Sequence, residues 1–216
     1  MTPPRFDGLA PHYAWMEAVT HGGLLHWCRT ALVGELLDAR RVLVLGEGDG
    51  RFLAAFLEAN RAAAVDAIDI SPAMVALARG RVARVPGAAA RVRWHVADVR
   101  RFEPPAPAYD LVVTNFVLDC ITAADLGPLV ARLAARLPPG GRWLLGDFAL
   151  PEGRAGRLAA RAALAVMYAF FRLAARVPAG RLTDPRPLLR AHGLVPEREE
   201  RRLGGYLTAS LWRKPG

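Results

Sequence analysis

Lysine and cysteine are nearly missing from this 216-residue chain: Lys214 is the one lysine among 29 basic residues, and the only cysteines are Cys28 and Cys120. Two cysteines in helix-like and strand-end contexts make no spaced framework, which argues against a disulfide scaffold and for a reducing compartment. No apolar run approaches the roughly 18 residues of a membrane span. The opening MTPPRFDGLAPHYAW has no basic segment followed by an apolar one, so the expected location is cytoplasmic. Without clustered lysines, the net charge of +9 rests on arginine in a chain rich in Ala, Gly and Pro. That composition reads as bias more than as a nucleic-acid footprint, and a nucleic-acid partner is disfavoured. No repeat or long linker divides the chain, and its length suits one α/β domain, 1–216.

Against these absences stands a regular alternation of apolar runs and helical patterns. Strands are predicted at 42–45, 64–68, 92–96, 111–114 and 143–145, and helices near 52–59, 73–82 and 125–137, after a helical region over 9–39. Five strands with crossover helices imply a mainly parallel sheet covered on both faces. The ending HGLVPEREERRL then GGYLTASLWRK reads as an antiparallel hairpin turning at Gly204-Gly205, which makes about seven strands.

The first strand runs into Gly46, Gly48 and Gly50, with a helical pattern directly behind. Such a turn lets a ligand approach the backbone at the mouth of a parallel sheet. In a dinucleotide fingerprint the third glycine falls three positions beyond the second, where this chain has Arg51. Glu47 and Asp49 would repel a pyrophosphate but suit a cation, so a sulfonium cofactor fits better. Asp69, at the end of the second strand, is placed to accept from both hydroxyls of a ribose; the alternative helix-cap role is already supplied by Ser71 and Pro72. Asp98 sits at the same edge of the third strand, where a carboxylate accepts from an exocyclic amine and the Val99 amide can donate to the ring. Asn115 and Phe116 end the fourth.

The loop GEGDG, the acid Asp69, the pair Ala97-Asp98, the TNF strand end and the closing hairpin together resemble class I S-adenosylmethionine-dependent methyltransferases of small-molecule type. The resemblance covers nearly the whole chain. It implies a Rossmann-like, doubly wound α/β sheet with a helical cap at 1–40, a cofactor-binding core at 41–149, a helical substrate cap at 150–182, and a C-terminal helix and hairpin at 183–216. It further implies S-adenosylmethionine as cofactor, held by Tyr13, Gly46, Glu47, Gly48, Asp49, Gly50, Asp69, Ile70, Met74, Asp98, Val99, Asn115 and Phe116. One departure is Val44, where many members carry an acid.

Methyl transfer needs positioning and sometimes a base, so little catalytic signature is expected and no metal. The candidate bases are Asp119, His26 and His21, with His12, His95 and His192 behind them. Beyond position 150, Arg154, Arg157, Arg161, Arg172 and Arg176 fall within about 100° of a helical arc, opposite Val166, Met167, Phe170, Phe171 and Leu173. Three readings stay open for this helix: an acceptor-pocket wall formed by Met167, Phe170 and Phe171, contact of the arginines with anionic membrane, or a solvated surface. The leading expectation is methyl transfer to a small, apolar or lipid-like acceptor. RNA or protein methylation and non-catalytic cofactor binding are the alternatives.

Overall fold

A computed structural model describes residues 23–175, 179 and 182–216. Seven strands form one sheet: β1 (Arg41–Leu45), β2 (Ala64–Asp69), β3 (Val92–Val96), β4 (Leu111–Asn115), β5 (Arg142–Phe148), β6 (Val195–Arg202) and β7 (Leu207–Arg213), in the order β3-β2-β1-β4-β5-β7-β6. The first five are parallel, and β7 runs antiparallel between β5 and β6. Strand order reverses between β1 and β4, so a crevice opens at their carboxyl ends.

The inner strands are buried along their length, which is why their sequences read as continuous apolar runs. The two-residue pleat sorts their side chains: Val42 and Val44 enter one core with Phe52 and Phe56, while Leu43 and Leu45 enter the other with Leu129 and Trp143. The first core is roofed by α1 (Leu24–Thr30) and α2 (Arg51–Ala59), the second by α4 (Ala123–Ala135) and α6 (Arg186–Ala191). The outer strand β6, VPEREERR, is largely exposed and charged, which blunts the sheet edge.

Helix α3 (Pro72–Val82) starts at Ser71, whose side chain accepts from Met74 N. Helix α5 (Arg154–Ala175) follows β5. Its buried face is Ala160, Leu164 and Tyr168, with Met167 and Phe171 half-buried; Val166, Phe170 and Leu173 are exposed. Phe170 therefore does not belong to an inner wall, contrary to the expectation for it. The region predicted helical over 9–39 is described from 23 on, as α1 and a short 3-10 turn over Val33–Leu36. Among the described residues no helix is long and apolar enough to cross a membrane.

Candidate functional site

From Leu45 the chain turns at once through Gly46, Gly48 and Gly50, whose φ angles of 63°, 66° and 85° are left-handed. Packing demands two of these glycines. A Cβ at Gly46 would lie 2.6 Å from Val117 Cγ2, and one at Gly50 would lie 2.6 Å from Ala78 Cα on α3. At Gly48 a Cβ would meet nothing within 4 Å, so the loop is clamped at both ends and open in the middle. Gly48 N donates to Asp69 Oδ2 at 2.8 Å and Ser71 N donates to Oδ1 at 2.9 Å. One buried carboxylate thus ties together the mouths of β1 and β2.

The two loop acids behave differently from their expected role as free negative charges. Glu47 is buried and accepts from Leu53 N at 2.9 Å, satisfying one of the orphan amides in the first turn of α2. Burial pushes its carboxyl up to about 8, against the pull of the Leu53 amide and the Arg29 charge, so it is mostly protonated at neutral pH. Asp49 is paired with Arg51 and Arg81, each at 3.0 Å. Neither acid supplies an unpaired charge to a cation.

At the end of β3, burial raises the Asp98 carboxyl, but the Arg100 side chain and backbone amide outweigh it and hold it below the usual carboxylate range. Val99 is buried, Ile70 half-buried, and Met74 buried. At the end of β4, Asn115 is buried with both atoms of its amide lacking a hydrogen-bond partner. A Cβ on Gly146 would stand 2.4 Å from Asn115 Oδ1, so glycine at that point of β5 is what admits the amide. Phe116 follows with a left-handed φ of 54°, a conformation of extra energy for a bulky residue and a frequent mark of functional sites. Its ring packs on Phe148 at 5.1 Å, and Phe148 packs on Tyr206 at 5.3 Å. The Arg29 guanidinium lies 5.2 Å from the Phe116 ring centre.

Beside these rings is a cluster of buried polar groups. Asp119, in the 3-10 turn Leu118–Cys120, is 3% exposed; Asp147 in β5 is 2% and Tyr168 in α5 is 3%. Asp119 Oδ1, Asp147 Oδ2 and the Tyr168 hydroxyl have no hydrogen-bond partner. Burial pushes Asp119 up to about 6. Burial and the Asp119 charge together push Asp147 well above the carboxylate range, while its other oxygen accepts from Phe148 N at 2.8 Å. The Tyr168 hydroxyl is pushed up by burial and by both acids.

Of the residues expected from sequence, Gly46, Gly48, Gly50, Asp69, Asp98, Asn115 and Phe116 line the carboxyl edge of the sheet. Tyr13, His12 and His21 lie outside the described residues. His26 and His192 are exposed, and His95 Nε2 is 3.0 Å from Asp66 Oδ1. Asp147, Tyr168 and Tyr206 were not expected. Asp147 was missed because its strand was ended at Leu145, although Phe148 and Ala149 continue the apolar signal past Gly146.

Comparison with known proteins adds a lineage to this geometry. Residues 43–143 match a family model described as a methyltransferase domain. An uncharacterised methyltransferase of Mycobacterium bovis is 36% identical over 120 residues, 56% of this chain and 56% of that protein. The polyamine aminopropyltransferase 2 of Bacillus cereus is 28% identical over 141 residues, 59% of this chain and 36% of its own. The chain therefore spans only about a third to a half of the length of such relatives. Among solved structures, the mitomycin 7-O-methyltransferase MmcR superposes with a TM-score of 0.71 at 19% identity, over 97% of this chain and 59% of that one. The 1,6-didemethyltoxoflavin-N1-methyltransferase of Burkholderia thailandensis, solved with its substrate and S-adenosylhomocysteine, gives 0.63 at 24%, over 97% and 86%. Strand order, glycine loop and matched domain agree: residues 43–143 are similar to a methyltransferase domain, and the chain has the fold of these solved methyltransferases.

Proposed function

We propose that the protein transfers a methyl group from S-adenosylmethionine to a small-molecule acceptor bound between the carboxyl ends of β4 and β5 and helix α5. The observation that carries this reading is the pairing of an open Gly48 with an Asn115 amide that is buried and unpartnered at the sheet's switch point. A buried amide with neither atom bonded is expected to have a ligand to meet.

The residues fit such a donor. Gly48 leaves its backbone approachable, Asp69 takes the ribose hydroxyls, and Asp98 with the Val99 amide takes the adenine edge, beside Ile70 and Met74. Asn115 takes the polar end of the methionyl part, with Phe116 against it. When bound, S-adenosylmethionine supplies an electrophilic methyl group on sulfur. The chain's own contribution is to hold the acceptor in line, which is worth up to roughly 7–11 kcal/mol of barrier. Phe116, Phe148 and Met167 give the acceptor an apolar wall and exclude water, and Asp119 is the base.

The test is a thermal shift with S-adenosylhomocysteine. At a ligand concentration 100 times Kd the gain is about 2.7 kcal/mol, or about 5–11 °C for a chain of this size. Asp69→Ala and Asn115→Ala are each expected to remove most of it. A wild-type chain that gives no shift would overturn the assignment.

The outer side of α5 supports a second reading, contact with anionic lipid. Leu158 and Leu173 are 71% and 88% exposed beside exposed Arg157, Arg161 and Arg172. Flotation with phosphatidylglycerol vesicles, lost in Arg157→Glu/Arg161→Glu/Arg172→Glu, is the expected result; equal flotation of both proteins would refute it.

A further inference from the structure

We propose that the acceptor is a small organic amine, whose nitrogen is held between Asp119 and Asp147 with the Tyr168 hydroxyl as its third partner. This inference rests on the methyltransferase reading above and names the class of molecule that site receives.

Three oxygens from three separate elements, the turn Leu118–Cys120, β5 and α5, are buried and unpartnered in one cluster. Leaving a buried polar group unsatisfied costs about 1–3 kcal/mol. The fold has nearby means to avoid this, since Phe would fill the place of Tyr168 among Leu164, Phe148 and Leu207. Their retention points to a ligand with several donors. Among the described residues, neither carboxylate has an ion pair with an arginine, although Arg29 and Arg186 are both close enough to influence the neighbourhood. Arg186 is engaged with Asp184, and Arg29 lies over the Phe116 ring.

Counting charge narrows the ligand. Burial pushes both acids up, and the charge of Asp119 pushes Asp147 up further, so any negative charge that the pair keeps is buried and repelled by its neighbour. A carboxylate acceptor would add a second buried negative charge beside the first. A phenol or alcohol would leave the existing charge uncompensated. An ammonium neutralises it, and its N–H groups bond to the orphan oxygens. The rings of Phe116, Phe148 and Tyr206, in successive contact, form the kind of aromatic surround that also favours a cation.

The same arrangement prepares the nitrogen for reaction. An ammonium has no lone pair, so one N–H bond must break. Its proton passes to the Asp119 carboxylate, forming an O–H bond and leaving the electron pair on nitrogen. That pair forms the N–C bond as the C–S bond breaks with its electrons returning to sulfur, and the positive charge moves from sulfur to nitrogen. Asp119 then gives its proton to solvent, and the methylated ammonium leaves by exchange with solvent.

The test measures binding to the full chain saturated with S-adenosylhomocysteine, using 2-phenylethylamine and benzylamine against 2-phenylethanol and benzyl alcohol. The amines are expected to bind at least ten-fold tighter than the matched alcohols by calorimetry. Asp119→Asn and Asp147→Asn are each expected to reduce that preference ten-fold or more while the S-adenosylhomocysteine shift persists. Tyr168→Phe should weaken amine binding with no loss of fold. If either Asn variant fails to fold, the wild-type comparison with Tyr168→Phe decides. A wild-type protein that binds S-adenosylhomocysteine but does not prefer amines overturns the acceptor class alone. One that does not bind S-adenosylhomocysteine overturns the methyltransferase reading beneath it.

Discussion

The glycine loop separates structural necessity from ligand access, and three alanine substitutions read the two apart. Each site has a left-handed φ, so alanine at any of them incurs roughly 1–2 kcal/mol of backbone strain, partly offset by about 0.4–1 kcal/mol from a stiffer unfolded chain. At Gly48 nothing further is added, because a Cβ would meet nothing within 4 Å. The net loss is then about 1 kcal/mol, or about 2–4 °C in Tm. At Gly50 the Cβ would stand 2.6 Å from the Cα and 2.9 Å from the Cβ of Ala78. Those atoms belong to a helix backbone, so the overpacking adds about 1–3 kcal/mol, and the expected fall is about 4–16 °C. Gly46→Ala lies between, its clash being with Val117 Cγ2 at 2.6 Å and Cβ at 2.7 Å. Calorimetry of the three variants without ligand should give the order Gly48, Gly46, Gly50 by increasing damage. Repeating the scans with S-adenosylhomocysteine should single out Gly48→Ala instead: on the proposed placement of the donor its methyl group enters the donor's space, so this well-folded variant loses most of its ligand shift. Equal Tm losses at all three sites, or a full ligand shift in Gly48→Ala, would refute the reasoning.

Two pH experiments follow from the buried acids. Because Glu47 in the folded protein holds its proton up to about 8, whereas the unfolded chain releases it near the ordinary 4.5, its contribution to stability is present at acid pH and is lost as pH rises through that window. Glu47→Gln keeps an oxygen for the Leu53 amide and removes the titration, so urea unfolding should find the variant gaining on wild type between pH 5 and pH 9; parallel curves would contradict this. Asp119 is pushed up to about 6, and the proposed role as base requires its deprotonated form, so kcat/KM should climb as pH passes through that region. Asp147 from β5 and Cys120 and Tyr168 beside it share the field, and the apparent value belongs to the pair of acids. Asp119→Asn should lower the rate by about 10²–10⁴ and abolish that limb.

How far the site could be read from sequence depended on the range of the interactions involved. The parallel strands announce themselves because burial on both faces leaves them uninterrupted apolar runs, and the glycine spacing is local. The fate of the acids between those glycines is not local. Glu47 is neutralised by burial while bonded to an amide six residues on, and Asp49 is paired with Arg81, 32 residues away. On α5 the apolar sector is wider than one packed face can cover, so periodicity alone did not choose between Phe170, 43% exposed, and Tyr168, 3% exposed. Asp147 escaped because Gly and Asp usually break strands, whereas here pairing with Ala209 and Thr208 carries β5 onward to Phe148.

That pairing also sets an order of events on the ribosome. Among the seven strands of this sheet β7 is synthesised after the other six, yet it occupies an interior place, against β5. Until residues 207–213 emerge, β5 presents an open row of amides and carbonyls flanked by Trp143 and Phe148, a template on which a second nascent chain could pair. The glycine loop and Asp69 can condense early, but the wall that holds Asp147 and Tyr206 closes after them. Quality control of this sheet therefore falls on β7, and lesions there should be met first as aggregation during synthesis and only afterwards as lost chemistry.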